Sequence, residues 1–299
     1  MTIRDFMSLG FEKLREYGLL ALLGKIIRLM NKRMKSKLLD FQYWFLRVRS
    51  KDGYLLREIQ GSQMLLDLAD SGISKDLAFN NIREDIATHM MHEILKGGEV
   101  VVDVGANIGY YALMEAKLVG DEGTVYAIEP VPKNFKLLEK NVKINRYRSI
   151  ELYHHAIGDY DGKSTMYVSP LSNWHAMNDI SGTGKTIEVD MFKLDTFLKG
   201  KPYPSLIRMD LEGFEYQVLQ GLKNTLAEEK PLILFIEYHP HIMKREESLE
   251  LLKQLKHSGF FIRLIANRAG IQDLSIDDLM VDEENLAGKT GGFLVFFER

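Results

Sequence analysis

The sequence predicts an α/β protein with a mostly parallel, seven-stranded sheet, helices on both faces and an N-terminal extension of helices and a hairpin. Two observations predict it. From about residue 99 onward, short apolar runs alternate with amphipathic helical stretches, the pattern of a parallel sheet with crossover helices. The apolar runs are continuous, as in strands buried on both faces.

Residues 1–50 read as a basic amphipathic helical extension. Ile3, Phe6, Met7, Leu14 and Tyr17 recur at helical spacing, and Ile27, Met30, Met34 and Leu38 form a second stripe. Lys25, Arg28, Lys32, Arg33, Lys35 and Lys37 accompany that stripe, with no acidic residue between Tyr17 and Leu39. Phe41, Tyr43, Trp44 and Phe45 follow. Such a segment can lie on an anionic membrane surface, pack on the main domain, or pair two copies into a homodimer. Residues 51–97 read as a hairpin and helices capping a cofactor site. The hairpin uses Tyr54-Leu55-Leu56 and Met64-Leu65-Leu66, and Asp70-Ser71-Gly72-Ile73-Ser74 leads into a helix with residues suited to capping it. A second helix, about Ile82 to Leu95, stops at Gly97-Gly98.

Residues 98–299 form the main domain. Strands are expected at Val100-Val101-Val102, Thr124 to Ile128, Ile150 to Tyr153, Leu206 to Met209, Leu232 to Ile236, Phe260 to Ile265 and Phe293 to Phe297. Helices are expected from Tyr111 to Leu118, Asn134 to Ile144, Phe214 to Leu226 and Glu247 to His257.

Composition excludes several classes. In 299 residues, 45% are hydrophobic and 27% charged, which suits a folded globular chain. Lys+Arg 39 against Asp+Glu 42 gives a formal charge of -3, so the whole chain is no generic nucleic-acid binder. With Cys 0, disulfides, thiol nucleophiles and Cys-ligated metals are excluded. The longest early apolar run, Leu19-Leu20-Ala21-Leu22-Leu23, is far short of the ~20 residues of a membrane-spanning helix. The expected location is cytoplasmic, with a peripheral place on the inner membrane surface if residues 1–50 touch lipid.

Ligands of such sheets bind at the carboxyl ends of the strands. The first strand ends Val102-Asp103-Val104-Gly105-Ala106-Asn107-Ile108-Gly109-Tyr110. Gly105 and Gly109 permit a tight turn and close approach to a ligand. Asn107 stands where a dinucleotide fingerprint needs its middle Gly, so a nicotinamide cofactor fits poorly. S-adenosylmethionine, which has no pyrophosphate, tolerates Asn107, and Asp103 would face its cationic amino-acid end. Glu129 ends the second strand and sits about two dozen residues after Gly105, where an acid can accept ribose hydroxyls. The third ends His154-His155-Ala156-Ile157-Gly158-Asp159, where backbone and Asp159 could edge an adenine. The fourth and fifth end Met209-Asp210-Leu211-Glu212-Gly213 and Ile236-Glu237-Tyr238-His239-Pro240. Asp210, Glu212, Glu237 and His239 should converge on one rim, as a reaction site or as a salt-bridge network with Arg208.

Taken together, these motifs resemble the FkbM-type methyltransferase family over roughly residues 95–298. The resemblance implies a class I, Rossmann-like S-adenosylmethionine-dependent fold and O-methylation of sugar or natural-product hydroxyls. It implies cofactor binding by Asp103, Gly105, Asn107, Gly109 and Glu129, and a reaction site lined by Asp210, Glu212, Glu237 and His239. Ala156, Ile157 and Asp210 are further cofactor contacts on this reading. A hydroxyl nucleophile needs a base within hydrogen-bond reach. His239 has the right ordinary pKa, with Asp210 or Glu212 as substitutes. A magnesium-like ion on Asp210, Glu237 or His239 could also acidify the hydroxyl. The insertion between Asp161 and Thr196 carries Ser172-Asn173-Trp174-His175, and Trp174, with His239, is a candidate acceptor contact. Ser181-Gly182-Thr183-Gly184-Lys185-Thr186 hints at a P-loop, but Asp179 stands where its first Gly would fall. The alternatives are a nicotinamide-dependent oxidoreductase and a non-catalytic membrane-associated module.

Overall fold

The computed structural model describes residues 34–169, 177, 182–267, 270–281 and 292–299. Trp174 with its neighbours 172, 173 and 175, and the first residue of the P-loop-like run, lie outside the described residues, as do residues 1–33. The chain divides into two compact units, Met1–Tyr54 and Leu55–Arg299.

In the first unit residues 34–49 are helical (α1). Its apolar residues fall into two groups. Tyr43 is buried and Leu39 and Leu46 are half-buried, whereas Met34, Leu38, Phe41, Trp44, Phe45 and Val48 are exposed.

A hairpin follows, β1 (Tyr54–Ile59) and β2 (Ser62–Asp67). Gln60 and Gly61 both have positive φ, as a two-residue type I′ turn requires. Helices α2 (Ile73–Phe79) and α3 (Asp85–Ile94) come next. The Asp70 carboxylate accepts from the Gly72 and Ser74 backbone N–H groups and so caps the entry to α2. The second helix starts at Asp85, later than the apolar spacing suggests, because Glu84 takes a left-handed φ of 54° that a helix cannot include.

The main sheet uses β3 (Val100–Val104), α4 (Tyr110–Val119), β4 (Thr124–Ile128), α5 (Pro132–Asn145) and β5 (Ile150–Tyr153) as its first half. A side sheet of β6 (Ala156–Gly158), β7 (Gly162–Tyr167) and β8 (Thr186–Lys193) intervenes, with β8 in the middle. After α6 (Leu194–Leu198) the second half runs β9 (Leu206–Met209), α7 (Glu215–Gln220), α8 (Lys223–Ala227), β10 (Ile233–Tyr238), α9 (Arg245–His257) and β11 (Phe261–Asn267). It ends with β12 (Gly270–Gln272), α10 (Ile276–Val281) and β13 (Phe293–Glu298).

Among the described residues the main sheet has eight strands in the order β12-β11-β13-β10-β9-β3-β4-β5. The seven expected strands are present. The addition is β12, a three-residue edge strand paired antiparallel to β11, too short to leave an apolar pattern in the sequence. β13 is antiparallel to both β10 and β11, while β5, β4, β3, β9 and β10 run parallel. The order reverses between β3 and β9, which opens a crevice at their carboxyl ends. Central strands buried on both faces explain the unbroken apolar runs: all four residues of β9 are buried, as are four of the five in β3. The stretch expected as one helix, Phe214 to Leu226, is two. At the break, a Cβ on Gly221 would stand 2.0 Å from the Gly158 carbonyl oxygen, so only glycine passes β6 there.

Candidate active site

The turn after β3 is built from backbone. The N–H groups of Gly105 and Ala106 both donate to the Ile128 carbonyl. Gly105 has φ 85°, and a Cβ there would lie 2.4 Å from the Asp210 carbonyl oxygen. Bare backbone is therefore required where β3 and β9 meet. Gly109 has a different reason: a Cβ on it would strike Leu138 of α5 at 2.7 Å. Its φ of 98° also puts it in the left-handed region that favours glycine, at the start of α4.

The Glu129 carboxylate anchors this turn. One oxygen accepts from the Asn107 N–H at 2.9 Å and the other from the Val131 N–H at 2.8 Å. Burial pushes its pKa up to about 7, against the pull of those donors. Glu129 lines a cleft of about 620 Å³, open mouth included, together with Gly105, Asn107, Asn134, Asp210 and Glu212. The apolar wall comes from Ile128, Ala156, Ile157, Met166, Leu211 and Phe214. His155 also lines it, and burial pushes its imidazole down to about 4, so the ring is neutral.

Asp103 and Asp159 are placed elsewhere. Asp103 is fully buried behind the turn, with an oxygen 2.8 Å from Arg208 Nη1. Its carboxylate organises the site from behind instead of facing a cofactor. Asp159 is exposed and is not among the cleft-lining residues. Arg208 bridges Asp103 to Asp210, whose carboxylate accepts from Nη2 at 2.9 Å. Its guanidinium stacks over Tyr111, 4.0 Å from the ring centroid. Burial works against its charge, but Asp103 and Asp210 outweigh burial and raise its pKa well above the ordinary value. Nearby Glu115 is fully buried; burial, then the charge of Asp103, raises its pKa well above the carboxylate range.

The rim gathers as expected, with a changed division of labour. His239 Nε2 lies 3.4 Å from Glu237 and 3.8 Å from Glu212, and Nδ1 lies 3.6 Å from Glu215. Burial alone would favour the neutral ring, but Glu215 and Glu237 outweigh it and push the imidazole up to about 12. The carboxylates around His239 therefore favour its charged form, which opposes the role of base that its ordinary pKa suggests. No group of three His, Asp or Glu side chains among the described residues is placed to hold a metal ion. Burial, then Glu237, push Asp210 up to about 6. Burial, then Asp210, push Glu212 up to about 8.

Two contributors went unread in the sequence. Glu215 is a wholly buried carboxylate that accepts from the Gly213 N–H at 3.2 Å and faces His239. Arg83 approaches from the segment before α3. Its backbone is clamped by the Tyr110 hydroxyl, which accepts from the Arg83 N–H at 2.8 Å. Burial opposes its charge, but Glu84, Asp210, Glu237 and Asp76 together raise its pKa. Nothing local marks Arg83, because a turn 27 residues from Tyr110 brings it to the rim.

A parallel sheet with one inserted antiparallel strand, a glycine turn after β3 and an acid ending β4 define a class I S-adenosylmethionine-dependent methyltransferase fold. The Methyltransferase FkbM domain matches residues 103–262, more than half of the chain, and the chain belongs to that family. Methyltransferase 1 of Beauveria bassiana is 27% identical over 145 residues, 41% of this chain and 57% of that protein. Hexuronic acid methyltransferase AglP of Haloferax volcanii is 28% identical over 170 residues, 56% of this chain and 66% of that protein. 31-O-demethyl-FK506 methyltransferase FkbM of Streptomyces tacrolimicus is 27% identical over 162 residues, 44% of this chain and 62% of that protein. The matched stretch covers less than two thirds of each of these relatives.

Proposed function

We propose that this chain is an S-adenosylmethionine-dependent O-methyltransferase acting on a hydroxyl of a glycan, glycolipid or related small molecule. The observation that carries the reading is one continuous cleft. Glu129 and the backbone turn line it together with Asp210 and Glu212, and Gly105 of the turn packs against the Asp210 carbonyl. The residues fit the cofactor. Glu129 accepts from two backbone N–H groups and from the Asn134 side chain, and with about four acceptor sites on a carboxylate it keeps one for a ribose hydroxyl. Ile128, Ala156, Ile157 and Phe214 suit a flat heterocycle. When bound, S-adenosylmethionine supplies an electrophilic methyl group on a sulfonium.

The chain's own residues position and deprotonate the acceptor. Asp210 is the base on this reading: its pKa of about 6 is close to neutral pH, and it lines the cleft. Glu212, at about 8, is protonated at neutral pH and can donate to an acceptor oxygen. Arg208 and His239 offset the carboxylate charge. The named acceptors of the Haloferax and Streptomyces relatives support a hydroxylated substrate.

Calorimetric titration with S-adenosylhomocysteine, beside NADH, tests the cofactor. Micromolar binding of the first and none of the second is expected. NADH binding alone would instead establish the oxidoreductase. Methyl transfer from labelled S-adenosylmethionine to a panel of hydroxylated acceptors then tests the substrate class.

A further inference from the structure

We propose that α1 is a membrane-surface anchor whose exposed apolar stripe lies in the interface of a bilayer carrying anionic phospholipid. The helix has two apolar faces. At about 100° per residue, Leu39, Tyr43 and Leu46 share one side, and these are the covered or half-covered residues. Met34, Leu38, Phe41, Phe45 and Val48 fall within about 40° of a line on the far side. There they are 63%, 57%, 60%, 46% and 61% exposed. A soluble helix needs one apolar face, and the covered side already supplies it. Among the described residues the second face is an exposed apolar strip of large side chains.

Its borders fit a lipid interface. Trp44 is 55% exposed on one flank and stacks on Phe41 with ring centroids 5.7 Å apart. Tryptophan favours the boundary between headgroups and acyl chains. Lys37 and Arg49 lie about 60° to either side of the apolar line, where their stems can cover apolar surface while their charges reach headgroups. The Arg49 guanidinium already sits over the Phe45 ring, 5.4 Å from its centroid.

Charge selects the occupant. Within 34–49 the residues charged at neutral pH are Lys35, Lys37, Arg47 and Arg49 against Asp40. The preceding sequence adds Lys25, Arg28, Lys32 and Arg33 with no acid after Tyr17. The chain as a whole is acidic, with a formal charge of -3, so the positive charge is concentrated here. A second copy docking on the same face would bring two sets of these cations together. An anionic bilayer pairs them instead. No helix among the described residues is long and apolar enough to cross a membrane, and an amphipathic helix with a basic border lies in the interface plane.

The test uses the full chain and vesicles of phosphatidylcholine, with or without phosphatidylglycerol. Co-sedimentation with the anionic vesicles alone is expected, weakening as salt rises. In a Trp174→Phe background Trp44 is the sole tryptophan, and its emission should shift to the blue on those vesicles. Phe41→Ser/Phe45→Ser and, separately, Lys35→Glu/Lys37→Glu should each cut partitioning roughly tenfold or more. All four side chains are exposed, so unchanged melting curves should confirm that these variants fold. Absence of binding to anionic vesicles overturns the proposal, as does equal binding by the Phe variant. A parent dimer that ignores vesicles and becomes monomeric in the Phe variant would assign the face to a second copy.

Discussion

Two neighbouring groups of residues, the Glu129 end and the Asp210 end of the cleft lining, are built on opposite principles. The Glu129 end is made of backbone: a glycine turn, two amide donors and one carboxylate, all within a single β3-turn-α4-β4 unit. The Asp210 end is made of buried charge gathered from distant places, with Asp103, Arg208, Glu215 and His239 drawn from four elements or their ends. Backbone donors need only correct local geometry. Buried charges hold only if every partner is present, because desolvation penalises each one left alone. The first end should therefore lose affinity by degrees when altered, and the second should fail abruptly.

The sharpest break of this contrast is Asp210→Asn. Removing the base should lower turnover about 10²–10⁴-fold. Arg208 keeps Asp103 as a partner, so the fold should survive. S-adenosylhomocysteine affinity, followed by calorimetry, should change far less than turnover. Equal losses in both would assign Asp210 to cofactor binding and leave the base unassigned.

Arg208→Met tests the structural half. It strands Asp103, which is 0% exposed, beside the buried Glu115. A buried charge that loses its partner costs about 3–5 kcal/mol. Urea unfolding should show that loss, and adding Asp103→Asn should recover much of it. A single variant as stable as the parent would mean that water reaches Asp103.

The same contrast explains what could be read from the sequence. Gly105 and Glu129 stood out because their constraints are local, a turn and an acid at a fixed interval along one βαβ unit. The four rim residues were also legible, since each ends a strand and parallel strands end on one side. Their charge states were not. His239 looked like a base with an ordinary pKa until Glu215 and Glu237 were placed against it, and that takes tertiary packing. Asp103 misled for the same reason: its position in the motif suggested a ligand, whereas Arg208, 105 residues on, occupies it. Arg83 left no trace because a long-range contact, the Tyr110 hydroxyl on its backbone 27 residues away, holds it at the rim.

Glu129→Gln probes the gentler end. A hydrogen bond to a charged acceptor contributes about 1.5–3 kcal/mol, so affinity for S-adenosylhomocysteine should fall roughly 10–150-fold while the fold persists. The sign with pH follows from its state. With a folded pKa of about 7, Glu129 is mostly neutral at pH 6 and mostly ionised at pH 8. The ionised form is the stronger acceptor, so parent affinity should rise across that window, and the Gln variant should lose the component centred near 7. A variant that kept the full pH dependence would shift the effect to Asp210 or Glu212.

The finest test lies in two asparagines one turn apart on α5. Asn145 accepts from the Gln63 N–H at 2.7 Å and donates to the Gln63 carbonyl at 2.7 Å, holding the β2 edge. Asn141 treats Leu65 in the same way, at 2.7 Å and 3.3 Å, but its amide also donates to the Ile108 carbonyl at 2.8 Å. Asn141 therefore ties the hairpin to the cofactor turn, and Asn145 does not. Asn141→Ala should cost about 1–3 kcal/mol, because it leaves buried backbone groups unsatisfied, and it should also weaken S-adenosylhomocysteine binding. Asn145→Ala, at a half-buried position, should cost about 1 kcal/mol and leave that binding unchanged. Amide exchange should rise at Gln63 in the second variant, and at both Leu65 and the turn in the first. If both variants weakened binding equally, the hairpin as a whole would be supporting the cofactor end, and the independence claimed for that end would not hold.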